Sequence, residues 1–222
     1  MSVTKYFIKD SLRKSEIDEY LASELGRAGY SRAELTKTPL GTRIVIYASR
    51  PGMVIGRRGQ SIRDLTRVFE EKFGLENPQI SVAAVDVAEL VPRVVASQIA
   101  QALQRGVHFR RAAYWALQRI MNTGARGAEI AIRGKLTTER ARYEKYRDGY
   151  LARCGEPALK NIRTAVTRVQ LKQGLFGIKV KILPSDAKFP DQLQLREPIL
   201  KEEEPAAEKE AEKEVVADTE KT

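Results

Sequence analysis

A β-branched run, Arg43-Ile44-Val45-Ile46-Tyr47-Ala48, is followed after two residues by Pro51-Gly52-Met53-Val54-Ile55-Gly56-Arg57-Arg58-Gly59. Beyond it Ile62, Leu65, Phe69 and Phe73 recur at helical spacing, with Gly74 at the end. This succession leaves few folds open. Gly56 and Gly59 let the backbone turn tightly and approach a partner with no Cβ in the way. The next helix begins within two residues, so its unpaired N–H groups and positive dipole end point into the same space, which suits a phosphate. Arg57 and Arg58 add mobile positive charge over that backbone, and Arg63, on the polar face with Asp64, Arg67, Glu70 and Glu71, is assigned to the same site. Ile55 and Ile62 are expected to anchor the flanking helices, so that only the loop protrudes. On spacing alone the two glycines could equally mark a plain helix–helix turn. A Walker-type loop is excluded, because no Lys-Ser/Thr pair follows, and so is a Rossmann fingerprint.

The surrounding elements separate those readings. Ile17, Tyr20, Leu21 and Leu25 mark a short amphipathic helix opening at Ser15 and closing at Gly26 and Gly29. Strands are expected over Ala33–Thr38, Arg43–Ala48 and Gln79–Val85. A loop with apolar residues before it, helices on both sides and strands beyond them is the K-homology arrangement, in which the loop clamps the sugar-phosphate backbone of single-stranded nucleic acid. From Val91 a helix carries Val91, Val95, Ile99, Ala102 and Leu103 on one side and ends near Gly106. His108 is read as the start residue of a second helix, with Phe109, Ala113, Ala116, Leu117, Ile120 and Met121 as its buried stripe. Strands follow at Ala128–Arg133, Arg163–Leu171 and, after Gly174 and Gly177, Ile178–Leu183, with a charged segment over Thr137–Arg153. The fold class is therefore α+β: a three-stranded sheet with helices, then two helices on an antiparallel sheet. The expected division is an extension over 1–16, a K-homology domain over 17–87, a C-terminal domain over 88–200 and a tail over 201–222.

Composition narrows the partners. With 222 residues and 42% apolar content the chain can bury a proper core, which excludes a wholly disordered protein. Residues 201–222 hold nine acidic and four basic residues, a net of −5, so the chain's +10 leaves +15 on residues 1–200. Such a body attracts a polyanion, nucleic acid or an acidic membrane surface. No run approaches the roughly 20 apolar residues of a spanning helix. Lys9, Asp10, Arg13 and Lys14 interrupt any secretory core, and no membrane partner is expected. One cysteine, Cys154, excludes an internal disulfide and a cysteine-based zinc site, and the lone His108 removes triad and zincin chemistry. No metal or cofactor is expected, and the reducing cytoplasm is the natural compartment. The Glu-, Lys- and Ala-rich tail has a disorder signature, and is either solvated or docked on a basic surface.

Three segments now stand in order: the strand followed by VIGRRGQSIRDLT, then HFRRAAYWALQRIMNTGARGAEIAIRGKL, then QGLFGIKVKI. In that order and at those separations the chain resembles the S-three family of small-subunit ribosomal proteins. The acidic tail and the length look more like archaeal or eukaryotic members than bacterial ones. The resemblance implies a type II K-homology domain and a family-specific C-terminal α+β domain. It also implies a place on the head of the small subunit beside the messenger RNA entry channel, with small-subunit ribosomal RNA, messenger RNA and neighbouring head proteins as partners. In that family an arginine pair opening the second C-terminal helix points at the messenger and is implicated in opening structured messenger; the matching residues are Arg110 and Arg111.

At 100° per residue Arg111, Tyr114 and Gln118 fall in one arc opposite Ala113, Leu117 and Ile120. Tyr114 stands where bacterial members carry a third basic residue, and a tyrosine stacked on a base would contribute about 1–3 kcal/mol. Arg110 and Arg111 could instead bind ribosomal RNA phosphate. Arg133, Lys135, Arg140, Arg142, Lys145, Arg147 and Arg153 make the middle of the second domain basic, with Glu139, Glu144 and Asp148 interleaved. Of these Lys135, Arg140 and Arg142 are taken as RNA-binding. Lys179 and Lys181 are either a wet strand face or an RNA contact, and Tyr143, Tyr146 and Tyr150 either stack on bases or pack. Two other classes compete with a ribosomal protein. The N-terminal half alone would permit a free K-homology regulator. An enzyme acting on nucleic acid lacks a paired carboxylate, since Asp64, Glu70 and Glu71 share a face with Arg63 and Arg67.

Overall fold

The computed structural model describes residues 3–39, 41–187 and 189. Its first helix, α1, runs Val3–Glu24 and does not wait for Ser15. The difference has a physical reason. Only Ile17 and Leu21 of α1 are buried, while Val3, Phe7, Ile8 and Leu12 are exposed, so the half without a core face shows no burial periodicity. Polar contacts hold that half: Asp10 pairs with Lys14 one turn on at 2.9 Å and also accepts from Lys37, 27 residues away.

After a 3₁₀ turn come β1 (Tyr30–Thr38), β2 (Gly41–Ala48), α2 (Pro51–Ile55), α3 (Gln60–Glu71) and β3 (Gln79–Ala84). The sheet order is β1-β2-β3, with β1 antiparallel to β2 and β2 parallel to β3. A parallel partner for β2 requires a crossover, and α2 and α3 provide it with the glycine loop at their junction. Ile44 and Ile46 pack against Ile17, Leu21, Leu65 and Phe69. Ile55 is not an anchor: it is 41% exposed, and Val54, fully buried, takes that place. In a helix of barely one turn the 100° step from Val54 to Ile55 turns one side chain in and the other out. Ile62 is half-buried, and Leu65 and Phe69 fix α3.

The second half holds α4 (Pro92–Gln104), α5 (Phe109–Asn122), β4 (Gly127–Gly134), β5 (Arg142–Gly149), α6 (Gly155–Asn161), β6 (Arg163–Leu171) and β7 (Gly174–Leu183). The sheet is antiparallel throughout in the order β5-β4-β7-β6, with α4 over β6 and β7 and α5 over β4 and β5. Ile130, Ile132, Ile178, Val180 and Ile182 face Ile99, Ala113 and Ile120 in one core. Each large side chain there contributes about 1.5–3 kcal/mol by leaving water.

Two expectations change here. The charged segment contains β5, an edge strand on which only Tyr146 is buried, and edge strands tolerate such charge because one margin faces solvent. Strand geometry also sorts the tyrosines, since Tyr146 packs in the core while Tyr143 and Tyr150 are exposed. β7 begins at Gly174, which brings Phe176 into the core opposite Val169.

The two halves are clasped where α4 meets α1. Arg93 donates from both terminal nitrogens to the Asp18 carboxylate at 3.0 Å, and the Tyr30 hydroxyl donates to the same carboxylate at 2.5 Å. The Arg93 guanidinium also lies 4.9 Å from the Tyr30 ring centre. Burial, and then the hydrogen bond to Asp18, push the Tyr30 phenol well above its ordinary value. These elements all lie in one compact unit ending at Ala187. The tail over 201–222 lies outside the described residues. Among the described residues no helix is long and apolar enough to cross a membrane.

Candidate nucleic-acid interface

The loop between α2 and α3 is built by backbone conformation. Gly56 has φ 74° and ψ 179°, and its N–H donates to the Gly52 carbonyl at 3.0 Å. A Cβ there would lie 2.2 Å from Ser61 Oγ and 2.8 Å from Ser61 Cβ, so Gly56 is required by both conformation and space. Arg58 adopts the left-handed region at φ 53° although it is not glycine, and Gly59 follows at φ 74°. A Cβ on Gly59 would meet nothing within 4 Å, which leaves the outer approach to the loop open. Arg57, Arg58 and Arg63 are exposed, and among the described residues none is held in an ion pair. The first turn of α3 has no acidic residue of its own to offset its N-terminal dipole. With Val54 and Leu65 buried on either side, the loop is a protrusion on an anchored base.

A second patch opens α5. The His108 ring caps the helix, its Nδ1 accepting from the Arg110 N–H at 3.4 Å, and Phe109 is buried. Arg111, Tyr114 and Gln118 are exposed while Ala113, Leu117 and Ile120 are buried, as the helical wheel places them. Arg110 is not free: its Nε and Nη2 donate to Glu144 of β5 at 3.2 and 3.0 Å. Glu144 also accepts from the Tyr146 hydroxyl at 2.5 Å, and the Tyr146 ring meets Tyr114 edge-on at 5.0 Å. The bonds from Arg110 and then Tyr146 hold the Glu144 carboxyl below its ordinary value, and burial followed by Glu144 pushes the Tyr146 phenol up. Arg111 has no ion pair among the described residues.

Lys135 and Arg140 lie in the β4–β5 connection and Arg142 opens β5, all exposed. Alternation along β5 puts Arg142 on the same side as Glu144 and Tyr146, toward α5. The expected site residues thus form two patches: the loop with Arg63, and the α5 cluster with Arg142 on the side of β5 that faces it. Among the described residues no hydrogen bond or ion pair links the two patches. Sequence analysis noted Glu144 among the interleaved acidic residues but not its pairing with Arg110, because the two lie 34 residues apart and only the position of β5 joins them. Trp115, 49% exposed beside Arg111, was missed too, although the helical wheel already places it in that arc. No group of residues suited to a metal occurs among the described residues.

A helix, two strands, two helices and a strand, with a Gly-Arg-Arg-Gly loop between the paired helices, define a K-homology RNA-binding domain, here joined to an α+β domain. The family comparisons agree: the KH domain matches residues 16–90, and the ribosomal protein S3 C-terminal domain matches residues 99–182. The chain is 49% identical over 189 residues to the small ribosomal subunit protein uS3 of Methanothermobacter thermautotrophicus, covering 85% of this chain and 73% of that protein. It is 48% identical to that of Saccharolobus solfataricus, covering 88% and 85%, and 46% identical to that of Methanocaldococcus jannaschii, covering 88% and 94%. The chain belongs to the uS3 family of ribosomal proteins, a structural and non-enzymatic family.

Proposed function

We propose that this protein is a structural constituent of the small ribosomal subunit in the cytoplasm, that its Gly56–Gly59 loop clamps ribosomal RNA in the head, and that the start of α5 lines the messenger entry channel. The clamp rests on one observation above the others: two exposed arginines, without ion-pair partners among the described residues, sit on a turn that closes onto a helix N-terminus whose first turn carries no acidic residue. Phosphate oxygens would accept from the loop and helix N–H groups while Arg57 and Arg58 neutralise the backbone charge. Arg63, Lys135, Arg140 and Arg142 extend the contact with ribosomal RNA. Arg110, Arg111 and Tyr114 face messenger, and neighbouring head proteins complete the surroundings.

Sedimentation of the tagged chain from a cell extract tests the assignment. Co-migration with the small subunit is expected; migration alone or with free messenger would overturn it. The channel role has its own test. Arg110→Ala with Arg111→Ala is expected to leave assembly nearly intact and to slow messengers that carry a stem near the entry, whereas equal slowing on unstructured messengers would count against it.

A further inference from the structure

We propose that Trp115 and Tyr114, on either side of Arg111, form a stacking site for the unpaired bases of single-stranded RNA. On a helix the residues three and four after Arg111 are its surface neighbours, so both rings border its guanidinium. Tyr114 is 62% and Trp115 49% exposed. Neither ring is loose. The Arg119 guanidinium lies 4.7 Å from the Trp115 ring centre and is itself fixed by Glu89 at 2.5 Å, so one side of the indole is backed by a tethered cation. Tyr114 rests edge-on against Tyr146, whose hydroxyl is bound to Glu144. Rings oriented in advance lose little freedom when a ligand stacks on them.

Charge selects the ligand. α5 carries no carboxylate, and among the described residues the acidic groups paired with it, Glu89 and Glu144, are taken by Arg119 and Arg110. Arg111 is left to meet a phosphate while the rings meet bases. A duplex hides the faces of its bases, so only an unpaired strand offers both contacts at once. An apolar protein surface fits less well, because covering the rings would strip water from Arg111 without supplying an acceptor.

This inference rests on the reading that α5 meets RNA, and the test keeps the two apart. Trp115 is the chain's single tryptophan, so its emission reports this site alone. The full chain would be titrated with a labelled unstructured single strand and with a duplex of equal length, following label anisotropy and tryptophan emission together. Saturable quenching by the single strand, in step with anisotropy and absent with the duplex, is expected. Trp115→Ala should weaken single-strand binding by roughly 5- to 150-fold, with Trp115→Phe recovering part of the loss and Tyr114→Ala giving a second, independent loss. Binding by anisotropy with unchanged emission and unchanged Trp115→Ala affinity would overturn the stacking site and leave RNA binding standing. Equal quenching by the duplex would overturn it too, as would a Trp115→Ala variant that loses a protein neighbour in the subunit while keeping its RNA affinity. No RNA binding by either readout would sink both readings.

Discussion

Replacing Gly56 by alanine strikes the point where the loop's conformation and packing coincide. At φ 74° and ψ 179° an L-residue is strained by about 1–3 kcal/mol. The added Cβ would meet Ser61 Oγ at 2.2 Å, Ser61 Cβ at 2.8 Å and the Ser61 backbone nitrogen at 3.1 Å. The hydroxyl can rotate away, but the other two atoms move only if the first turn of α3 shifts, an overpacking cost of about 1–3 kcal/mol. Gly59→Ala carries only the left-handed penalty of about 1–2 kcal/mol, because its Cβ enters open space. At about 2–4 °C per kcal/mol for a chain of this size, the combined cost should lower Tm by roughly 4–24 °C in Gly56→Ala, against roughly 2–8 °C in Gly59→Ala. Thermal unfolding followed by circular dichroism measures both. Adding Ser61→Gly to Gly56→Ala, read as a double-mutant cycle against each single change, should recover the steric part and leave the conformational part. Equal losses at the two glycines, or a cycle with no coupling between Gly56 and Ser61, would refute the reasoning. In RNA binding below the transition, Gly59→Ala should lose affinity out of proportion to its stability, since its methyl group stands in the ligand's path.

Asp18→Ala removes the acceptor of the buried Tyr30 hydroxyl and frees Arg93, and should cost about 1–3 kcal/mol in thermal unfolding, with Tyr30→Phe recovering part; an unchanged Tm would mean the clasp contributes nothing. Glu144→Gln releases Arg110 and should steepen the dependence of log affinity for single-stranded RNA on log salt by about 0.7, whereas an unchanged slope would show that Arg110 meets no phosphate. The hydrogen bonds from Lys37 and then Lys14 hold the Asp10 carboxyl below its ordinary value of 3.8. A depressed folded value stabilises above the unfolded one and is lost as pH falls through the folded one, so the first half of α1 should lose helicity below about pH 4. Asp10→Asn should lack that step in far-ultraviolet circular dichroism, and an identical acid profile in both proteins would dismiss the ion pairs.

The elements with one wet and one dry face could be read directly from the chain. Leu65 and Phe69 on α3, and the division of α5 between Ala113-Leu117-Ile120 and Arg111-Tyr114-Gln118, follow from 3.6-residue periodicity, and the structure places them so. Where no face is buried the periodicity carries no information, which is why the first half of α1 and the charged edge strand β5 escaped notice. Val54 in place of Ile55 is a rotation of one residue in a single-turn helix, finer than spacing resolves. The loop was legible because its glycines, arginines and flanking elements are contiguous. The neutralisation of Arg110 was not, since it depends on a strand 34 residues away whose position no local pattern reveals.

The central claim is that Arg57 and Arg58 hold RNA from a loop whose fold does not need their side chains. Sucrose-gradient sedimentation of the tagged Arg57→Asp, Arg58→Asp chain beside the unaltered one tests it most directly, with circular dichroism confirming that both are folded. The account predicts the unaltered chain in the small-subunit fraction and the folded variant largely at the top of the gradient. Incorporation of the variant at the level of the unaltered chain would contradict it.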